Sequence, residues 1–302
     1  MELTVGPILF EWKRDDVIRF YDEIAMLDVD TVYLGEVMCV KKKGLGLKDI
    51  ETIGKRLEGS GKKVFVSTLA IVSNEEEMSF VRELVGLPFA IEANDVSAIS
   101  IAGRMDKPLA AGPHITCYNT GDIEFLKSAG VGRFVFPVEL ARDSVAYNIK
   151  ETGAAAEVFA HGKAPLAYSW RCYTSRAFGL SKDECRHHCA QYPSGMELKT
   201  LDHETIFTMN GTSVLSSLTY TLIEFIDELK DIGVKGLRIS PEPERTFKAI
   251  DIFRKRMNGK TSPDEALFEL RSIYPEGLCN GWYHGRAGKD YLKQEVEYVR
   301  TY

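Results

Sequence analysis

Three of the six cysteines in this 302-residue chain lie close together in the sequence. Cys172, Cys185 and Cys189 follow one another as C-x12-C-x3-C. Because a free thiol on a protein surface oxidises readily, such a group of thiols calls for a chemical reason. Disulfide bonds, a zinc site and an iron–sulfur cluster are the candidate explanations.

Cys39 is the candidate fourth member of this set, because it closely follows the strand-like segment Tyr33-Leu34-Gly35. Loops that follow the strands of an α/β barrel meet at one face, so the two stretches could bring four thiolates to one metal centre. Zinc accepts four cysteines, but only Cys185 and Cys189 approach the paired spacing of structural zinc sites. A [4Fe-4S] cluster tolerates irregular spacing. Spacing alone leaves zinc, a cluster and unligated cysteines open.

The composition is that of an ordinary globular protein, with 44% hydrophobic and 27% charged residues. The first residues lack the basic region and the apolar core of a secretory signal, and no apolar run reaches the roughly 18 residues that a membrane span needs. We therefore expect a cytoplasmic protein without a membrane span, where structural disulfides are disfavoured. A net charge of −6 argues against a nucleic-acid partner.

Apolar, β-rich runs alternate with charged segments of helical spacing along most of the chain. In residues 15–27, for example, Val17, Tyr21 and Ile24 share one stripe of an amphipathic helix. About eight such units predict a parallel sheet that closes into a TIM-barrel-like (β/α) barrel. An open doubly wound α/β sheet is the alternative. The predicted strands are residues 3–10, 31–35, 63–68, 89–93, 109–111, 133–137, 155–160 and 234–240, and the last two predicted helices are 217–232 and 242–257.

We expect one barrel-like domain over residues 1–302, with two appendages. Residues 165–216 interrupt the alternation and contain the three clustered cysteines, which indicates an irregular insertion. Within it, Asn210-Gly211 predicts the turn of a small hairpin. Residues 258–302 are more polar and predict a C-terminal tail packed on the barrel.

Several segments of the chain resemble the collagenase-like peptidase family, from the first strands to the tail. They are Y-L-G-E at 33–36, F-V-S-T-L-A at 65–70, P-V-E-L-A-R-D at 137–143, P-L-A-Y-S at 165–169 and C-N-G-W-Y at 279–283. One branch of that family resembles the chain further, with a cysteine just after the first segment and C-x12-C-x3-C after the fourth. The resemblance implies that a [4Fe-4S] cluster is ligated by Cys39, Cys172, Cys185 and Cys189.

The same resemblance implies an iron–sulfur component of an oxygen-independent hydroxylase in anaerobic ubiquinone biosynthesis. The implied partner is a homologous UbiU-like subunit in a heterodimer, and the implied substrate is a quinone precursor that a lipid-binding protein would deliver. Hydroxylation of an RNA base and a non-enzymatic metal-binding scaffold are the alternatives. Peptidase activity is not expected, because the sequence has no Ser/His/Asp signature and no H-E-x-x-H.

Four other side chains are candidates for catalysis, because they lie at the ends of predicted strands, where a barrel builds its site. They are Glu36, Glu139, Arg142 and His161. Helix capping, an ion pair or a hydrogen-bonded structural histidine are the alternative roles. The remaining cysteines, Cys117 and Cys279, are expected to be buried packing residues.

Overall fold

A computed structural model describes residues 1–42 and 44–293 of the chain. Its strands are β1 (Glu2–Val5), β2 (Thr31–Gly35), β3 (Lys63–Ser67), β4 (Ala90–Ala93), β5 (Leu109–Ala111), β6 (Val131–Phe136), β7 (Ala156–Tyr168), β8 (Met196–Lys199), β9 (Thr205–Asn210), β10 (Ser213–Thr221), β11 (Gly236–Ile239) and β12 (Leu278–Cys279). Its helices are α1 (Arg14–Met26), α2 (Leu47–Gly59), α3 (Glu75–Gly86), α4 (Val96–Arg104), α5 (Thr120–Ser128), α6 (Arg142–Thr152), α7 (Tyr173–Ala177), α8 (Ile226–Asp231), α9 (Thr246–Met257) and α10 (Pro263–Ile273).

Strands β1 to β7 and β11 form a closed parallel barrel. Each of the strands β1 to β6 pairs with the next one, and β11 pairs with both β1 and β7. Gly236 of β11 thus lies opposite Glu2 of β1 on one side and Glu157 of β7 on the other. The TIM-barrel-like prediction is confirmed, and the open-sheet alternative is wrong.

Helices cover the barrel because each has one apolar face. In α1 the buried positions include Val17, Tyr21 and Ile24, the stripe that the sequence predicts. Side chains fix where other helices begin: Asn74 accepts a hydrogen bond from the backbone of Glu77 at the start of α3. The strand ends, and the loops that follow them, are thereby held at one face of the barrel.

An antiparallel extension of the same sheet continues from β7. Strand β10 pairs antiparallel with β7 and with β9, and β9 pairs with β8. The hairpin predicted at Asn210-Gly211 is confirmed, with Gly211 at a φ of +57° between β9 and β10. The predicted helix 217–232 is wrong over its first part, because residues up to Thr221 extend β10 along β7 and only Ile226–Asp231 form α8.

The two appendages contain regular structure of their own. Between β7 and β10 lie α7, a short 3₁₀ helix at His188–Gln191, β8 and β9. The tail begins with α10, and residues 294–302 of the predicted tail lie outside the described residues. The boundaries 165–216 and 258–302 stay predictions. Among the helices of the described residues, none combines the length and the apolar character needed to cross a bilayer.

Candidate metal centre and barrel mouth

The Cys39 loop is held by Glu36, which directly follows β2. One Glu36 oxygen accepts hydrogen bonds from the backbone N–H of Met38 at 2.7 Å and of Cys39 at 3.0 Å. The Lys42 ammonium lies 3.3 Å from the same oxygen. Burial raises the pKa of Glu36, against the opposing effects of Lys42 and the two N–H donors. In the structure, Glu36 therefore shapes the Cys39 loop.

Two of the clustered thiols accept backbone hydrogen bonds. Cys172 caps α7, and its Sγ accepts from the N–H of Ser175 at 3.4 Å. The Sγ of Cys185 accepts from the N–H of His187 at 3.3 Å, where His187 has a left-handed φ of +56°. Hydrogen bonds of this kind to sulfur stabilise a thiolate and tune a bound cluster.

Direct contacts join the Cys39 loop to the cysteine-bearing segment. The hydroxyl of Thr212 donates to the carbonyl of Met38 at 3.1 Å, and the Lys41 ammonium donates to the carbonyl of Lys182 at 3.0 Å. The two cysteine-bearing stretches, 141 residues apart at Lys41 and Lys182, therefore meet at the carboxyl-terminal face of the barrel.

Electrostatic effects link Cys189 to the other two clustered thiols. Burial, with a contribution from Glu11, raises the pKa of Cys189 to about 12. Cys185 and Cys172 also raise the pKa of Cys189, whereas Lys42 lowers it. Burial likewise raises the pKa of Cys39, and Lys182 and Lys42 oppose this effect. Cys172 and Cys185 thus affect the pKa of Cys189, and Lys42 affects the pKa of both Cys39 and Cys189.

The donor chemistry of these four residues fits an iron–sulfur cluster. All four are free, partly buried thiols, and a [4Fe-4S] cluster takes four cysteine ligands. With their raised pKa values, the free thiols of Cys39 and Cys189 stay protonated near neutral pH, so a cluster would have to displace these protons on binding. In residues 1–42 and 44–293, no three or more His, Cys, Asp or Glu side chains already form a group that could hold a metal ion.

The other candidates do not gather around the cysteines. The hydroxyl of Tyr118 donates a hydrogen bond to Glu139. Arg142 forms an ion pair with Glu228, to which the hydroxyl of Tyr283 also donates, at 2.6 Å. These contacts fasten α6 to α8 and the tail.

His161 lies on the helix-covered side of the sheet. A register irregularity between β7 and β11 sets His161 opposite Ile239, and its buried ring packs against Phe253 and Tyr274. Burial lowers the pKa of His161 to about 3, so the ring is neutral. Cys117 and Cys279 are buried, each with 2% of its surface exposed, as predicted.

A charged network fills the barrel interior, and the sequence analysis did not identify it. The carboxylate of Glu157 accepts hydrogen bonds from Tyr33 at 2.8 Å, Arg133 at 2.8 Å and Arg238 at 2.6 Å. Arg238 also pairs with Glu92 at 2.6 Å. Burial alone would raise the pKa of Glu157, but the two guanidinium groups hold it at about 2. The sequence feature that could have indicated this network is Arg238, an arginine among the apolar residues of Gly236–Ile239.

Glu242 is a second residue that the sequence analysis did not single out. It follows β11 in Ser240-Pro241-Glu242-Pro243, with 6% of its surface exposed, and its Oε1 has no hydrogen-bond partner among the described residues. Burial raises the pKa of Glu242 to about 7, although Lys163 and Arg245 oppose the effect. The position of this polar residue just after a barrel strand is the sequence feature that could have marked Glu242 as a candidate site residue.

The buried carboxyl of Glu242 predicts a specific pH dependence of stability. Between its usual pKa of 4.5 and about 7, the folded protein keeps a proton that the unfolded chain has lost. The contribution of Glu242 to the free energy of unfolding therefore decreases as the pH rises from 4.5 through 7. We expect Glu242→Gln to be stabilising relative to wild type at pH 8, by on the order of 3 kcal/mol, and to have little effect at pH 4.5.

Urea unfolding at several pH values measures this effect. The exposed Glu83→Gln on α3 is the matched control and should show no such trend. A difference between Glu242→Gln and wild type that is the same at pH 5 and at pH 8 would contradict the assignment.

Comparisons with known proteins place these features in a family context. A family model described as Peptidase family U32 matches residues 21–293. A protein named Collagenase from Porphyromonas gingivalis (strain ATCC BAA-308 / W83) is 22% identical over 295 residues, which cover 85% of this chain and 69% of that protein. A second Collagenase from Porphyromonas gingivalis is 23% identical over 269 residues, covering 79% of this chain and 72% of the other.

Solved structures with some likeness to the chain include a DAHP synthase from Thermotoga maritima. It has a TM-score of 0.47 and 14% identity, with 92% of this chain and 71% of that chain covered. Dihydropteroate synthase from Thermus thermophilus has a TM-score of 0.41 and 12% identity, with 84% and 93% covered.

Proposed function

Since the chain belongs to peptidase family U32, we propose that it is a UbiV-type member: the iron–sulfur subunit of an oxygen-independent hydroxylase in anaerobic ubiquinone biosynthesis. Four free thiols at the spacing of that branch support this proposal. The observation that carries it is the contact between the two cysteine-bearing stretches, through Thr212 to Met38 and Lys41 to Lys182.

Cys39, Cys172, Cys185 and Cys189 would hold the [4Fe-4S] cluster. When bound by four thiolates, such a cluster supplies electron transfer, because each iron is already fully ligated. Some neighbouring groups favour the ionised ligands and oppose the effect of burial: Lys42 and Lys182 provide positive charge near Cys39, and backbone N–H groups donate to Cys172 and Cys185.

The proposed partner is a homologous UbiU-like subunit, and the proposed substrate is a quinone precursor delivered by a lipid-binding protein. Two large aromatic side chains beside the cysteines support a partner surface. Trp170 is 51% exposed and Phe178 is 39% exposed, and they flank Cys172 in the sequence. Aromatic residues are enriched at protein interfaces.

Peptide hydrolysis is the competing function, because the curated relatives carry the name Collagenase. A cysteine nucleophile needs a lowered pKa, so that its thiolate exists near neutral pH. Burial raises the pKa of Cys39 and Cys189, which is the opposite effect. The environment of these two thiols thus argues against a role as the nucleophile of a peptidase.

The proposal predicts that hydroxylation needs both subunits and no dioxygen. The chain and its homologous partner should be expressed, singly and together, in an anaerobically grown host that lacks its own anaerobic hydroxylase. We expect ubiquinone only with both subunits, and about four irons and four sulfides in the purified chain. Stoichiometric zinc, or gelatin hydrolysis by the purified chain without quinone formation, would contradict the proposal.

A further inference from the structure

A cavity of about 390 Å³ lies on the antiparallel extension of the sheet, between β7, β9, β10 and the tail. Its volume is within the range of about 300–1,000 Å³ that is typical of small-molecule sites. The side chains of Ile206 and Phe207 line it and are 39% and 37% exposed, so the cavity is open to solvent. The rest of its apolar wall is formed by Ala164, Leu166, Leu218 and Trp282.

The cavity lies at a β-bulge in β10. Residues 216–218 of β10 lie opposite Ala164 of β7 alone, because the pairing of the two strands shifts register there. The next residue of β7, Pro165, has no N–H to donate to the ladder. Extra residues of a bulge leave regular pairing, and here all three of them line the cavity.

The polar groups of the bulge are paired within the protein. The hydroxyl of Ser216 accepts a hydrogen bond from the N–H of Ala164 at 2.9 Å and donates to the carbonyl of Leu218 at 2.6 Å. The Lys163 ammonium donates to the carbonyl of Ser217 at 2.6 Å. A ligand therefore need not supply hydrogen bonds to these groups, which favours an apolar occupant.

The indole of Trp282 forms a fixed wall of the cavity. Trp282 packs against the hydrophobic core, and the tail turns back over it at Gly288. A Cβ atom at Gly288 would lie only 2.6 Å from Cε2 of the indole, so a glycine allows this close approach. Because the wall is already in place, binding requires little ordering of side chains.

The two charged residues of the lining have opposite signs. Glu204 and Lys289 are both exposed, so their charges remain in water. Together they provide no net charge that would attract an ion. An ion that entered the apolar part of the cavity would lose its hydration, which is strongly unfavourable. The lining therefore favours an uncharged ligand.

We propose that this cavity binds an uncharged, largely apolar small molecule between Leu218 of the bulge and Trp282 of the tail. Burial of apolar surface supplies the affinity, and the indole offers a flat face on which a ring can stack. None of the four proposed cluster ligands lines the cavity, so this inference is independent of the iron–sulfur proposal. Residues 294–302 are the competing occupant, which the experiment distinguishes.

The uncharged dye N-phenyl-1-naphthylamine tests this site in the full-length protein, because its fluorescence increases in apolar surroundings. We expect saturable binding of one dye molecule per chain. The dye 1-anilinonaphthalene-8-sulfonate has the same ring skeleton with one added sulfonate, and it should bind at least about tenfold more weakly. Crystals soaked in the uncharged dye should show it between Leu218 and Trp282.

Ser217→Phe provides a blocking variant, because it places a ring at a half-buried residue of the lining. We expect the affinity for the uncharged dye to decrease by about tenfold or more, with an unchanged melting temperature. Ser100→Phe, at an exposed position of α4, is the matched control and should bind the dye as the wild type does.

Three results would overturn the proposal. They are an affinity for the sulfonated dye that equals or exceeds that for the uncharged dye, wild-type dye binding by a folded Ser217→Phe variant, and dye binding only after residues 294–302 are removed. The comparison of the two dyes uses the wild-type protein, so it decides the question even if the variant does not fold.

Discussion

Replacing any one of Cys39, Cys172, Cys185 or Cys189 by serine is expected to remove most of the iron and sulfide from the anaerobically purified protein. We expect the iron content to decrease from about four per chain to fewer than about one, because a [4Fe-4S] cluster depends on all four thiolates. The structural basis is that the Cys39 loop and the cysteine-bearing segment meet through Lys41 and Lys182. Iron and sulfide analysis, with an absorption spectrum, measures the loss.

The two remaining cysteines are matched controls for this experiment. Cys117 and Cys279 are each 2% exposed and lie outside the proposed ligand set. Cys117→Ala and Cys279→Ala should therefore retain the iron content of the wild type. The ligand assignment would be wrong if all six variants kept their iron, or if a control variant lost it while remaining folded.

Cluster loss should also lower stability, because binding to the folded state alone stabilises that state. The cluster would draw together two stretches that are held in the described structure by contacts such as Thr212 to Met38. We therefore expect the melting temperature of the serine variants to match that of the metal-free wild type.

The barrel was predictable because its strands are short apolar runs with clear boundaries. The predicted strand 31–35 coincides with β2, and 63–68 differs from β3 by one residue. Helix α4 was missed, since its serines, isoleucines and glycine are weak helix formers. Packing of Ala98, Ile99 and Ala102 compensates for that weak propensity, as does the Asp95 cap, which accepts from Ser97 at 2.8 Å.

Parts of the site depend on contacts that sequence spacing does not reveal. The cysteine motif could be read directly from the chain, but the pairing of Glu157 with Arg238 joins residues 81 apart. The position of His161 depends on a register irregularity in β7, which decides the face to which a strand side chain points. The charged barrel interior could not be inferred without the closed barrel.

Glu157→Gln is expected to cause the largest loss of stability among the barrel variants. The substitution keeps the side-chain size but leaves Arg133 and Arg238 buried with one negative charge fewer. Removing one partner from a buried ionic network costs about 3–5 kcal/mol. Urea unfolding at pH 7 measures the change, and Glu51→Gln at the exposed Lys55 pair should cost less than about 0.5 kcal/mol.

The effect of Glu157→Gln should depend on pH in the direction opposite to that of Glu242→Gln. The pKa of Glu157 is lowered from 4.5 to about 2 because two guanidinium groups stabilise its charge, despite its burial. Its stabilising contribution is therefore complete above pH 4.5 and is lost as the pH decreases towards 2. The difference between wild type and variant should shrink over that range. A difference that stays constant down to pH 2, or a variant within about 1 kcal/mol of wild type at pH 7, would show that the Glu157 charge does not hold the barrel interior together.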